Sequence, residues 1–179
     1  MFPKTISQVN LVIMLHPGTP LPLASIVRAT GLARSSVLSA LTTLEKRGLI
    51  RRSTRAGADE FGPNRESVHY PMAYAAALVD LPIGEALRGQ RIYAVYAYGS
   101  LSHPGGGTGH SDLDLLIVGD IKNRDALAGK LADVGAKIGR AIDPFILTSE
   151  QLATARAKND THVASALTGV RLMGHLDVH

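Results

Sequence analysis

The stretch that decides the fold is Tyr98-Gly99-Ser100, followed after an eleven-residue spacer by Asp112-Leu113-Asp114-Leu115. The apolar run from Ile92 to Ala97 leads into the Gly-Ser pair and reads as a strand, and Leu113 to Val118 reads as another. Along a strand, residues two apart project from one face. Asp112 and Asp114 therefore share a face, while Leu113 and Leu115 take the other. Two carboxylates so close repel each other unless a cation sits between them. A divalent metal is the usual cation, and aspartates holding Mg²⁺ commonly serve phosphate chemistry. The Gly-Ser pair strengthens that reading, because small residues at a strand end let backbone N–H groups approach a phosphate closely.

Further along the chain, Leu127, Leu131, Val134 and Ile138 recur at helical spacing within an expected helix over about 122–139. A strand over 141–147 carries Asp143. Helical segments over 149–158 and 161–167, a last strand over 170–173 and a loose tail from Gly174 complete a β-α-β-α-β-type unit. Between the Gly-Ser pair and Asp112, Pro104 and Gly105-Gly106-Gly107 leave room for barely one helical turn. His103 and His110 flank the site and read by default as solvated loop residues, because neither has a partner at zinc-ligand spacing.

Gly99-Ser100, the spacer and Asp112-x-Asp114 resemble the signature of the DNA polymerase β-like nucleotidyltransferases, especially their minimal forms, over about residues 91–174. The resemblance implies a small mixed-sheet fold and nucleotidyl transfer from an NTP to a hydroxyl acceptor. It implies that Asp112, Asp114 and Asp143 are catalytic and hold Mg²⁺ (or Mn²⁺), one ion gripping the β and γ phosphates and another activating the acceptor. Gly99 and Ser100 are then the phosphate-binding residues, and Asp143 is also a candidate base. His103 stands where the family commonly carries Arg, and the glycine run shortens the helix that usually follows the Gly-Ser pair. Minimal transferases of this type often belong to toxin–antitoxin modules, which adds a protein partner to those considered.

The chain of 179 residues, 45% hydrophobic, is long enough for one domain or two small ones. It has no cysteine, which excludes disulfides, thiolate zinc sites and a Cys nucleophile and fits a cytoplasmic protein. Val9 to Leu15 is too short to span a bilayer, and His16-Pro17-Gly18 follows it instead of a cleavage site, so neither a membrane span nor a signal peptide is expected. The net charge of +4 resides entirely in the first eighty residues. It concentrates between Arg28 and Arg55, where seven Lys/Arg face Glu45 alone. Such a basic face suits a polyanion.

The first half reads as a helix from Ser7, as its cap, to about Leu15, a second over 22–30, a turn at Gly31, and a third helix over 34–47. In the third, Val37, Leu41 and Leu44 form an inward stripe. Arg34, Ser35, Ser39, Thr42, Thr43 and Lys46 lie away from it and suit a major-groove reader. A strand over 49–54, a polar loop over 55–66 and a strand over 67–70 read as a β-wing, with Arg51, Arg52, Arg55 and Arg65 as phosphate or minor-groove contacts. Thr30 to Val37 and Leu44 to Ile50 resemble the helix-turn-helix of winged regulators, with Ala33 where a Ser or Thr cap is more usual.

The sequence thus leads to an α+β chain of two domains: an N-terminal winged helix-turn-helix over 1–72, a helical connector over 73–90 that doubles as a candidate dimer surface, and a C-terminal minimal nucleotidyltransferase domain over 91–179. Two functions are carried forward. One is a Mg²⁺-dependent nucleotidyltransferase with a DNA-binding domain. The other is a DNA-binding transcriptional regulator, of a toxin–antitoxin-like module among other settings, whose second domain senses nucleotide or is inactive. Double-stranded DNA and a nucleoside triphosphate are the expected partners, and a homodimer is expected where DNA is bound.

Overall fold

The structure, a computed structural model, describes residues 2–108 and 111–176. These fall into two compact units. The first comprises Met1–Leu81, Pro104–Ser111 and Lys137–Gly139; the second comprises Pro82–His103, Asp112–Ala136 and Arg140–His179.

In the first unit, helix α1 (Lys4–Met14) starts a turn earlier than Ser7. Pro3, with extended backbone, precedes it, and the Ser7 hydroxyl donates to Phe2 O at 3.4 Å from inside the helix instead of capping it. Strand β1 (Leu21–Pro22) leads into α2 (Leu23–Thr30), which Gly31 ends in the left-handed region at φ +66°. Helix α3 (Arg34–Lys46) begins after Ala33, which provides no side-chain cap. Val37, Ala40, Leu41 and Leu44 are buried, so the apolar spacing faces the core as expected.

The wing is shorter than the sequence reading placed it. Strand β2 (Ile50–Arg55) pairs antiparallel with β3 (Ala58–Pro63), and only Ala56 (φ +49°) and Gly57 (φ +78°) lie between them. Two consecutive positive φ values make a two-residue hairpin turn whose twist matches that of the strands. The segment 67–70, expected as the second wing strand, is instead the turn into helix α4 (Tyr70–Val79). That helix packs on α1, where Asn10 Nδ2 donates to Ala73 O at 3.0 Å. The core gathers Val9, Ile13, Ile26, Leu41, Leu44, Phe61, Tyr74 and Leu78, each at most 1% exposed.

The second unit is a four-stranded mixed sheet. Strand β4 (Arg91–Tyr98) ends at Gly99, and Ser100–Ser102 forms a single 3₁₀ turn, the one turn that Pro104 and the glycines permit. Strand β5 (Leu113–Asp120), helix α5 (Arg124–Ile138) and strand β6 (Ile142–Leu147) form a parallel crossover unit. Helices α6 (Ser149–Ala157) and α7 (Thr161–Leu167) lead to β7 (Val170–Gly174). The strand order is β6-β5-β4-β7, antiparallel except between β5 and β6. On one face Leu116 and Val118 pack with Tyr98, Leu152, Val163 and Ala166. Leu113, Leu115 and Ile117 on the other face are fully buried, and the expected stripe of α5 is buried too. A strand apolar on both faces belongs in the middle of such a sheet. Gly174 closes β7, and the last three residues of the expected tail lie outside the described residues, as does His110.

Candidate functional site

Two sites follow from this fold, one in each unit. In the first, α3 presents Arg34, Ser35, Ser39, Thr42 and Lys46 as exposed residues, with Thr43 half-buried at the edge. The burial of Val37, Ala40, Leu41 and Leu44 aims the other side of the helix outward. Thr42 Oγ1 donates to Leu38 O at 2.9 Å and Thr43 Oγ1 to Ser39 O at 3.0 Å. Their protons are used inside the helix, so their oxygens face outward chiefly as acceptors. Leu38, 38% exposed, lies on the same face and went unnoticed in the sequence. It adds an apolar side chain to a face otherwise made of polar groups.

The wing arginines divide. Successive strand residues point to opposite sides, so Arg51 and Arg55 share one side and Arg52 takes the other. Arg52 Nη2 donates to Glu45 at 3.1 Å, its Nη1 stands 3.5 Å from Asp59, and its guanidinium lies over the Phe61 ring at 5.3 Å. Arg51 is paired with Glu66, which holds that carboxyl below its usual range by a hydrogen bond and by charge. Arg65 Nη2 donates to Gly105 O at 2.7 Å. Arg55 is exposed beside the Ala56-Gly57 turn at the wing tip. Four arginines read alike in the sequence thus have different partners, and Arg52 joins α3 and the wing through exposed ion pairs.

In the second unit, β5 and β6 run parallel with Asp114 opposite Asp143, and β4 sets Tyr98 opposite Asp114. Cross-strand partners share a face, so Tyr98, Asp114 and Asp143 form a row across three strands. The row opens on a cleft of about 460 Å³ lined also by Gly99, Phe145 and His162. His162 comes from the first turn of α7, which Asp160 caps by accepting from His162 N at 2.9 Å and Val163 N at 3.0 Å. Its Nε2 lies 3.2 Å from the Tyr98 hydroxyl, and its ring meets those of Tyr98 and Phe145 edge-on. Ser102 Oγ donates to Gly99 O at 2.8 Å and fixes the turn, and Ser100 is exposed.

Burial raises the Asp114 carboxyl above its ordinary range, the charges of Asp143 and Asp112 add to this, and His162 opposes it. The Tyr98 hydroxyl is raised by burial and by the same two carboxylates, Asp114 and Asp143. Asp112 is exposed just before β5 and outside the cleft lining. Of the three expected carboxylates the structure therefore brings two into the cleft, with the third, Asp112, acting on Asp114 by charge. Among the described residues, no three acidic or His side chains are gathered to hold a metal ion. His103 is exposed.

The raised Asp114 value has a stability consequence. Between its ordinary value of 3.8 and its folded value, the folded chain binds more protons than the unfolded chain, so stability falls as pH rises through that window. Asp114→Asn is therefore expected to melt above the parent at pH 7, with the difference closing as the pH is lowered toward about 4. Thermal melts at both pH values check this, and a variant that melts lower at pH 7 contradicts it.

Residues 13–54 match the family model of the IclR helix-turn-helix domain. The matched segment runs from the end of α1 through α2 and α3 to the end of β2, and so contains the outward face of α3. No curated protein and no solved structure matches the chain. The IclR-type segment supports a DNA-binding transcriptional regulator and double-stranded DNA as partner. It does not reach the cleft of the second unit. No helix among the described residues is long and apolar enough to cross a membrane. Beyond the IclR-type segment, sequence reasoning missed Phe145 and His162; the only local signal for His162 is Asp160, a good cap at the start of its helix.

Proposed function

We propose that this chain is a transcriptional regulator that reads double-stranded DNA with α3 in the major groove and the β2–β3 wing on the backbone. The observation that carries it is the match of residues 13–54 to the IclR helix-turn-helix domain, coinciding with a helix whose outward face holds cations, hydroxyls and one leucine, its one acidic group, Glu45, being paired with Arg52. Arg34 at the start of α3 has the fork for a guanine edge, Leu38 and the hydroxyls supply the neighbouring contacts, and Arg55 takes a phosphate beside the wing tip. Repeated selection of random duplexes by the full chain is expected to enrich a recurring motif. A pool that stays random contradicts the reading.

A second reading is favoured by the row of Tyr98, Asp114 and Asp143 beside Gly99. In this reading the second unit binds a nucleoside triphosphate and transfers its nucleotidyl group to a hydroxyl acceptor, the acceptor oxygen bonding to the α phosphorus as pyrophosphate leaves. The donor set suits a hard divalent cation: two carboxylates line one cleft, and the charged form of one of them is disfavoured until a cation arrives. Asp114 and Asp143, with Asp112, would hold Mg²⁺ (or Mn²⁺), and that ion when bound neutralises phosphate charge. Gly99 keeps the backbone open to the terminal phosphates, Ser100 donates to them, and Asp143 accepts the acceptor's proton. Incubation with an α-labelled NTP and Mg²⁺ is expected to transfer label, and Asp112→Asn to abolish it. Equal labelling by the variant would sink this reading and leave the cleft as a sensor or a retired site.

A further inference from the structure

We propose that the outward face of α4 is a two-fold interface with a second copy of this chain. From Tyr70 to Val79 the helix holds no charged side chain, and tyrosine hydroxyls are its only polar side-chain groups. One stripe, made by Tyr70, Ala73, Tyr74, Ala77 and Leu78, is buried against the rest of the first unit. The opposite stripe is bare: Met72 is 74% exposed, Val79 is 53%, and Val68, just before the helix, is 86%. A surface helix is ordinarily polar on its outer face, and one that is apolar on both faces is suited to cover on both. A single exposed apolar residue means little, but Met72, Ala75 and Val79 follow the three-four spacing of a helix-pairing seam, with Val68 in the turn that leads into it.

Charge selects the occupant. Beside the seam lies a groove of about 530 Å³ lined by Phe2, Arg47, Leu49, His69, Met72 and Ala76. His69 just before the helix, Met72 and Ala76 on it and Asp80 just after it follow one another on that side. The N-terminal end of the line thus holds Arg47 and His69, and the C-terminal end holds Asp80. When two copies of α4 pack antiparallel about a two-fold axis near Ala75 and Ala76, the rise of about 1.5 Å per residue sets Asp80 of each copy opposite the Arg47 and His69 end of the other. Val79 then meets Met72 and the groove. The central alanines let the helices approach closely, and the opposed helix dipoles favour the same direction. A parallel pairing, or an acidic partner, would leave one end of the line unmatched.

Analytical ultracentrifugation of the full chain without DNA tests this, so its outcome is separate from whether the chain reads DNA. The parent is expected to dimerise below about 100 µM, and Met72→Glu to weaken the dimer by ~10-fold or more while its far-ultraviolet spectrum stays that of the parent. Asp80→Arg is expected to weaken the dimer too, and Asp80→Arg combined with Arg47→Glu to restore most of it. That pair tests the interface even where Met72→Glu disturbs folding. A parent that stays monomeric, whether the face is bare or covered by its own chain, overturns the proposal. So does a dimer indifferent to Met72→Glu, or a double variant no tighter than Asp80→Arg alone.

Discussion

Replacing Gly99 with alanine is expected to destabilise the second unit by about 1–3 kcal/mol and to push the Asp114 carboxylate out of the cleft. Gly99 sits at φ +71° and ψ −160°, a region that residues with a Cβ rarely enter. A Cβ there would overlap Asp114 Oδ2 and come within 3.0 Å of its Cγ. The carboxylate can rotate away, since it is the end of a side chain, but rotation takes it from the row it forms with Tyr98 and Asp143. The backbone strain has no such escape. Each kcal/mol lowers the melting temperature of a unit this size by roughly 4–8 °C, so calorimetry resolves the change. Gly99→Ala combined with Asp114→Ala removes the overlap but keeps the strain, and should recover only part of the loss. A Gly99→Ala protein that melts with the parent would mean that this turn does not hold the geometry described above.

The second large effect is expected on DNA. Arg34→Ala should weaken binding to a selected duplex by about 1–3 kcal/mol, roughly 5- to 150-fold, and relax the preference at one base pair. Arg55→Ala should weaken all sequences alike, as loss of a phosphate contact does. Arg52→Ala is expected to cost less than either. Its charge is shared between Glu45 at 3.1 Å and Asp59 at 3.5 Å, leaving little for a phosphate. Both of those pairs are well exposed, so folding should suffer little. Titrations with one duplex and the three variants check the order; an Arg52→Ala loss exceeding that of Arg34→Ala contradicts it.

Where the sequence reading succeeded and where it failed has a local explanation. The inward stripe of α3 was legible because Val37, Leu41 and Leu44 repeat at helical spacing between glycines that stop the chain at Gly31 and Gly48. The wing was misplaced because its turn is Ala56-Gly57, without the Asn or Asp that usually advertises two positive φ values. Ser7 read as a cap, yet Pro3, already extended, starts the helix a turn sooner. The alternation that sends Asp112 and Asp114 one way and Leu113 and Leu115 the other could be read directly from strand spacing. That Asp143 comes to lie beside Asp114 depends on a parallel crossover through α5, which no local pattern specifies. His162 was invisible for the same reason: it reaches the cleft only because α7 packs on the Leu116 face of the sheet.

The most direct test of the central claim is the salt dependence of duplex binding by the full chain, followed by fluorescence anisotropy. If α3 and the wing hold about four phosphates, raising salt from about 50 to about 200 mM should weaken binding roughly a hundredfold, along a straight line of log affinity against log salt. Arg55→Ala should lower the slope by about one. Binding that ignores salt, or no binding even at the lower concentration, would contradict the reading of this chain as a DNA-binding regulator.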